Sequence, residues 1–594
     1  MIECIIDPYS GAGTGGIATA SRLAKAGWKV TVLEKNDFAG GRCSLIHENG
    51  YRFDQGPSLL LLPHLFREAF TDLGTTLEDE GVHLVKSEPN YVLHYHDGVS
   101  ISLSTDTAAM KATVEAWEGK DGFSRYLAFL RESHDHYENS VEHVLRKSYP
   151  TFFSLLKPSI LKVLVGMHPF ESIWTRAALY FRSERLRRAF TFGSMYMGMS
   201  PFDAPGTYSL LQYTELAEGI WYPIGGFYAV LDALKKVGER LGVQYRFDTP
   251  VRSVVTSTTS GKSRATGVVL ESGEILSADV VIINADLIYA SNTLLPQTSR
   301  AVALGSKQTS CSSMSFYWSL DIKIPTLEPH NIFLAEKYRE SFDDIFKNHK
   351  LPDDPSFYVN VPSRLDKTAA PEGCDALVIL LPCGHLPPES SARPDRQSSA
   401  GTEGIHEDEL DELIPKAREA ILDVLESRLG VDIRNHIKHE QINDPRSWKE
   451  KFNLDRGAIL GLSHDFFNVL CFRPQIRSPD HEALWFVGAS THPGTGVPIV
   501  LAGAKMVAED ILQEYGEKSM PWPTGVEIEA KKKSGNKVSA KMDLQSMHWR
   551  DPGFWLSWTT LFFAVVWIVL FAMLAPRDKS ILAIWDKLQY YTEI

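Results

Sequence analysis

The segment Gly11-Ala12-Gly13-Thr14-Gly15-Gly16, continuing IATASRLAKAGWKVTVLE to Glu34, decides the fold class. A G-x-G-x-x-G loop works only between a strand and a helix. Gly11 permits the tight turn, Gly13 lets backbone approach a pyrophosphate, and Gly16 lets the helix pack close to the strand. The helix N-terminus then offers free N–H groups and partial positive charge to an anion. Downstream residues agree. Ile17, Ala20 and Leu23 recur at helical spacing as far as Lys25, and Gly27 suits the stop. Lys29 to Glu34 reads as a buried strand ending in an acid. Glu34 lies 18 residues after Gly16, close to the spacing at which a carboxylate binds ribose hydroxyls. Loop, helix, strand and terminal acid together predict a bound dinucleotide in an α/β, Rossmann-like domain.

The strand before the loop is short. Asp7-Pro8-Tyr9-Ser10 leaves Met1 to Ile6 as its only material. Strands of about five or six residues are common, but proline lacks a ladder donor and suits a strand end. The expectation is a weak opening strand and, with it, weakened cofactor binding.

The chain has 594 residues, a formal net charge of −13 and six cysteines without a C-x-x-C pair. The acidic balance excludes nucleic acid as the main partner. The cysteine pattern predicts neither a disulfide framework nor a zinc site. The N-terminus lacks a charged region followed by an apolar core, so no signal peptide is expected. Near the other end, Phe554 to Ala575 (FWLSWTTLFFAVVWIVLFAMLA) is uncharged over 22 residues. At helical rise that is about 33 Å, enough for a hydrocarbon core of roughly 30 Å. A Lys-rich polar stretch precedes it, and basic residues are fewer after it. The tendency of basic flanks to stay inside predicts a single-pass C-terminal anchor with the catalytic body in the cytosol, the endoplasmic reticulum being the expected membrane.

The expected organisation is discontinuous. Residues 1–110, 216–300 and 446–517 form the dinucleotide domain. Residues 111–215 form a helical substrate- or membrane-facing region, overlapping a mainly helical stretch from Pro63 to Met199. Residues 301–445 form a mixed α+β substrate domain, 518–553 a polar linker and 554–575 the membrane helix. The run Pro387 to His406 is Pro/Ser/Gly-rich and reads as a disordered surface loop.

A second turn carries further chemistry. Val487-Gly488-Ala489-Ser490-Thr491-His492-Pro493-Gly494-Thr495-Gly496-Val497-Pro498 runs from a strand into a helix with proline in its first turn. This second helix N-terminus can face an electron-rich group. A nicotinamide domain needs only the first such end, whereas a flavin that stays bound is gripped at both, with charge near its ring stabilised on reduction.

With both turns in view, the segments GAGTGGIA, VLEKNDFAGGRC, YRFDQGPSLL, GIWYPIGGF and FVGASTHPGTGVPIVLAGAK resemble, in order, the bacterial- and fungal-type carotenoid desaturases. The resemblance spans about residues 11 to 515. It implies an amine-oxidase-like FAD fold that removes hydrogens stepwise from the C40 polyene 15-cis-phytoene, towards lycopene or 3,4-didehydrolycopene, by hydride transfer to FAD. It implies that Gly11, Gly13, Gly16 and Glu34 hold the adenosine diphosphate end and that Arg42 lies near the pyrophosphate. Val251 would contact the adenine through backbone. Gly56, Pro57 and Ser58 would approach the flavin ring, as would Gly488 and the turn Gly494-Thr495-Gly496-Val497. NAD is a further cofactor or electron acceptor to test, and a homo-oligomer is among the partners the resemblance allows.

A lipid-soluble polyene without polar handles requires an apolar tunnel. Met195, Met197, Met199, Phe202, Tyr208, Leu211 and Trp221 are candidate lining, methionine suiting irregular apolar surfaces; the competing reading is ordinary core. His492 is a candidate for proton transfer beside the flavin or a structural hydrogen bond in its turn. Glu215 and Glu218 read as solvated helix charges. Competing functions are a flavin-dependent carotenoid isomerase or saturase, and a non-catalytic prenyl-chain carrier of the same fold, against which the second turn argues.

Overall fold

The computed structural model describes residues 3–6, 11–259, 262–388, 404–517 and 519–523. Most of the Pro387–His406 run, nearly all of the polar linker and the whole of Phe554–Ala575 lie outside the described residues.

The opening strand Glu3–Ile6 is short, and it is central. It pairs in parallel with Lys29–Leu33 on one edge and Val280–Ile283 on the other. Gln244–Arg246 and Leu484–Phe486 complete a five-stranded parallel sheet, the latter beside Val280–Ile283. Alternation explains why four residues suffice. Cys4 and Ile6 point into one core with Val30, Val32, Val280 and Ile282. Ile5 points into the other with Leu33, Val281, Ile283 and Leu484. The described ladder runs to Ile6, and Pro8 lies outside the described residues.

The first loop leads directly into the helix Thr14–Lys25. A Cβ on Gly16 would lie 1.8 Å from the Gly11 carbonyl oxygen, so only glycine lets this helix pack on its own loop. Across the same face lie the helices Pro63–Leu73 and Val497–Glu514. A buried ionic cluster ties the three. Arg22 pairs with Asp72 at 2.9 Å, and Lys505 reaches Glu68 (2.8 Å) and Asp72 (3.0 Å).

The second sheet corrects the expected boundaries. Its seven strands run in the order Ile437–Asn443, Ser312–Leu320, Asp375–Cys383, Phe357–Asn360, His330–Phe333, Tyr91–His94 and Ser100–Leu103. Tyr91–His94 and Ser100–Leu103 therefore belong to the substrate sheet, although they fall within 1–110 and within the stretch read as helical. Tyr91–His94 joins in parallel to His330–Phe333, far away in sequence, a pairing that no local pattern encodes. Likewise Val251–Thr259, Lys262–Leu270 and Ile275–Ser277 make a separate three-stranded antiparallel sheet, which packs beneath the parallel sheet through Val251, Val254 and Val268. From Thr107 to Tyr213 the chain is helical, as expected.

Candidate active site

Three loops converge on the C-terminal ends of the parallel strands, where open α/β sheets place ligands. The helix Thr14–Lys25 begins at Gly13 without a side-chain cap, so its first N–H groups face outward unfilled. The Gly40 N–H donates to the Ala12 carbonyl at 2.7 Å, which draws the short turn Gly41–Cys43 and Arg42 alongside. The Arg42 guanidinium makes no hydrogen bond to a described residue, and burial lowers its pKa. The third loop is the Gly488–Gly496 turn, which enters Val497–Glu514 with Pro498 in its first turn and again without a side-chain cap.

Sequence reasoning missed what holds this third loop. Arg473, 1% exposed, donates to the carbonyls of Leu462, Ser463, Asn468, Ala489 and Thr491. Burial lowers its pKa to about 10. Its guanidinium fork satisfies main-chain oxygens that no strand or helix could reach. His464, beside it, accepts from the Thr495 N–H at 3.1 Å. Gly494 has φ +146°, and a Cβ there would sit 2.7 Å from His464 Nε2. No local signal marks Arg473 or His464, because both act on a turn that follows by about two dozen residues.

One cavity of about 560 Å³ connects these parts. Gly13, Arg42, Gly56, Pro57 and Ser58 line it from the first side. Gly488, Gly494, Thr495, Gly496 and Val497 line it from the second. Met195, Met197, Tyr208 and Leu211 continue its wall, with Tyr196 and Tyr358.

Other expected residues are not on that wall. Gly11 and Gly16 shape the first loop from within. Glu34 is 1% exposed at the end of its strand. Its carboxylate accepts from the Ala12 N–H (3.1 Å), the Asn36 N–H (3.1 Å) and Asn36 Nδ2 (3.0 Å). With about four lone-pair sites on a carboxylate, it has room for one ribose hydroxyl, not the pair expected, and it also braces the loop. Burial raises its pKa to about 7. Val251 is fully buried. Two residues before it, the Thr249 N–H donates to the Glu34 carbonyl at 2.9 Å, so the two adenosine-end candidates are adjacent.

His492 turns away from the cavity. It is 1% exposed, its Nε2 meets the Lys147 carbonyl at 2.8 Å, and burial lowers its pKa to about 4. That geometry fits the structural reading and not proton transfer. Met199 packs in a small core with Ile173 and Ala204. Phe202 lies against Trp174 (4.8 Å between rings), with the Arg339 guanidinium over its face. Trp221 is a strand residue paired with Lys86. Met199 is buried core, while Phe202 and Trp221 are half-buried against other core clusters, off the cavity wall. Glu215 is also buried, at 0% exposure, where a solvated charge was expected; the turn around it faces inward.

The donor set fits FAD. Two uncapped helix N-termini, the Arg42 guanidinium and a buried carboxylate are grouped around one cavity, and Gln55 Nε2, buried on its wall, has no hydrogen-bond partner among the described residues.

Comparison with known proteins agrees. The flavin-containing amine oxidoreductase family matches residues 14–310. The chain is 59% identical to the phytoene desaturase of Fusarium fujikuroi over 516 residues, covering 86% of this chain and 90% of that one. It is 55% identical to the phytoene desaturase of Neurospora crassa, covering 87% and 86%. It is 36% identical to the zeta-carotene-forming phytoene desaturase of Myxococcus xanthus, covering 84% and 93%. Among solved structures, a putrescine oxidase shares the fold at 15% identity and a TM-score of 0.56, covering 86% of this chain and 99% of that one. Two cofactor-type turns on one cavity, on this fold and with these relatives, place the chain in the phytoene desaturase family of FAD-dependent oxidoreductases acting on CH–CH groups.

Proposed function

We propose that this protein desaturates phytoene in successive steps within the cavity described above. The observation that carries the reading is the continuity of that cavity: the residues suited to FAD and a long apolar wall line the same space. Bound FAD supplies a two-electron acceptor for hydride. The chain's own residues do the rest. The Gly13–Gly15 N–H groups and Arg42 offset pyrophosphate charge, and the Val497 helix end offsets negative charge on a reduced ring. Met195, Met197 and Leu211 exclude water and hold a polyene by shape alone.

The cavity also reaches Pro169, Phe466 and Leu470. Beside them stand exposed aromatics. Phe170 (58% exposed) packs on Phe466 at 4.7 Å, and Phe467 (61%) packs on it at 5.2 Å. An exposed aromatic rim at an apolar mouth supports substrate entry from a bilayer. No helix among the described residues is long and apolar enough to cross a membrane. Phe554–Ala575, outside them, is the proposed anchor, with the catalytic body on the cytosolic side of the endoplasmic reticulum.

The test is incubation with phytoene in liposomes and FAD, with oxygen, a quinone or NAD as acceptor in separate arms, reading the polyene spectrum. Lycopene and 3,4-didehydrolycopene separate by their absorption maxima. Absence of any new polyene band in every arm, with flavin bound, would overturn the reading.

A further inference from the structure

A buried carboxylate stands behind the cavity wall. Glu215 lies in the π turn Thr214–Glu218. Its oxygens accept from the Tyr91 hydroxyl (3.3 Å) and from Gln212 Nε2 (3.3 Å), and no lysine, arginine or histidine reaches it among the described residues. A buried carboxylate without a cation is costly to a fold, and π turns concentrate at functional positions. Burial raises its pKa to about 8, so both protonation states are accessible at ordinary pH.

A line of hydroxyls joins it to the cavity. Tyr196, on the wall, donates to the Tyr91 hydroxyl at 2.6 Å, and Tyr91 donates to Glu215. Each hydroxyl spends its single proton in the direction of Glu215, so the Tyr196 oxygen keeps acceptor capacity for the cavity. His143 also lines the cavity, with Lys147 Nζ 3.3 Å from its Nδ1, and is one rival. The groups that follow are poorer acceptors. His464 is engaged by the Thr495 N–H and kept neutral by burial and by Arg473. Tyr358 is tied to Ser58 (2.8 Å) and His330 (2.7 Å). Cys43 and Cys311 have thiol pKa values raised by burial. Among the described residues no carboxylate lines the cavity directly. Glu218, half-buried, is reached through cavity-lining Tyr137 at 2.7 Å and is a second rival.

We propose that Tyr196, Tyr91 and Glu215 form the proton-accepting relay of the desaturation, an inference that rests on the function proposed above. One C–H bond breaks with its electron pair leaving as hydride to the flavin. On the neighbouring carbon, the second C–H bond breaks and its pair becomes the new C=C bond. That proton goes to the Tyr196 oxygen, the Tyr196 proton to Tyr91, and the Tyr91 proton to the Glu215 carboxylate. Two hydrogens leave the polyene, the flavin gains two electrons, and Glu215 ends neutral, later releasing its proton to solvent. Tyr196 is the catalytic residue; Tyr91 and Glu215 act through it.

The test uses the full flavin-loaded protein and the variants Glu215→Gln, Glu215→Asp and Tyr196→Phe. Mixed anaerobically with phytoene in liposomes, wild type should bleach its flavin, faster as pH rises towards about 8. Glu215→Gln and Tyr196→Phe should bleach at least about 100-fold more slowly, the scale of general-base catalysis, with unchanged flavin content and no remaining pH dependence. Glu215→Asp should recover part of the rate. Infrared difference spectra of the flavin-free protein across pH should show a carboxylic-acid band titrating in wild type and missing from Glu215→Gln. Above about pH 8, Glu215→Gln should melt at the wild-type temperature or above, because it removes an unpaired buried charge. Wild-type bleaching in Glu215→Gln, or an equal loss in Glu218→Gln or His143→Gln, would overturn the relay. Failure of wild type itself to bleach would instead overturn the proposed function.

Discussion

Glu34 joins two tasks on one carboxylate. Its Oε2 holds the Ala12 N–H inside the glycine loop, while Oε1 is held by Asn36. Replacement by alanine releases the loop and would remove the proposed charge-assisted bond to ribose, about 1.5–3 kcal/mol. Glu34→Ala should therefore bind FAD at least about tenfold more weakly with the fold retained, as measured by flavin titration; wild-type affinity would remove Glu34 from the site. Its pH behaviour follows from burial. The folded, flavin-free protein keeps this proton up to about 7, whereas an unfolded glutamate releases it near 4.5. The folded state thus binds more protons between those values, and stability falls as pH rises through that window. Glu34→Gln should flatten that part of the stability–pH curve, as followed by denaturant melts; an unchanged slope would place its origin elsewhere. The position of Glu34 beside the glycine loop was legible from spacing alone, since a strand end and a loop are fixed distances apart. Glu215 was not, because burial of one face of a short turn depends on strands Tyr91–His94 and His330–Phe333 arriving from elsewhere.

The closing turn shows how an element without ladder hydrogen bonds is kept in one shape. Arg473 gathers its carbonyls with those of the segment before it. Arg473→Met keeps the bulk and strands several buried acceptors, each worth about 1–3 kcal/mol. The expected outcome is a loss of about 3 kcal/mol or more in denaturant melts, with flavin content falling in parallel; a stable variant holding full flavin would show that the turn supports itself. The opening strand argues the other way. Glu3–Ile6 is paired on both edges and buried on both faces, so the short lead-in is sufficient. Replacing residues 1–10 by an uninterrupted apolar strand should leave flavin stoichiometry unchanged, read from absorbance of the purified protein. A clear rise would restore the expectation of a weak strand.

For the whole molecule, access to substrate is the governing question. Phytoene dissolved in a bilayer reaches an apolar cavity only if its mouth meets the membrane, and an anchor raises the encounter rate without touching the chemistry. A chain ending before Trp549 should keep normal flavin content and become extractable by alkaline carbonate. It should be slow on phytoene in liposomes yet near normal on detergent-dispersed substrate. Loss of flavin with aggregation of the truncated chain would assign Phe554–Ala575 to the globular fold.

The two cofactor turns, the parallel strands next to them and the class of cofactor were written locally, because a glycine loop, its helix and its strand are neighbours in the chain and their geometry follows from residue type and spacing. The tertiary structure alone decided three things. It assigned Tyr91–His94 and Ser100–Leu103 to the substrate sheet. It separated the cavity wall of Met195, Met197 and Tyr208 from Met199, Phe202 and Trp221, which pack against three different core clusters. It also set the burial and hydrogen-bond partners of His492, Arg473 and Glu215. In each case the deciding quantity is which surface a side chain buries and against what, and that is fixed by long-range packing that residue type and spacing do not contain.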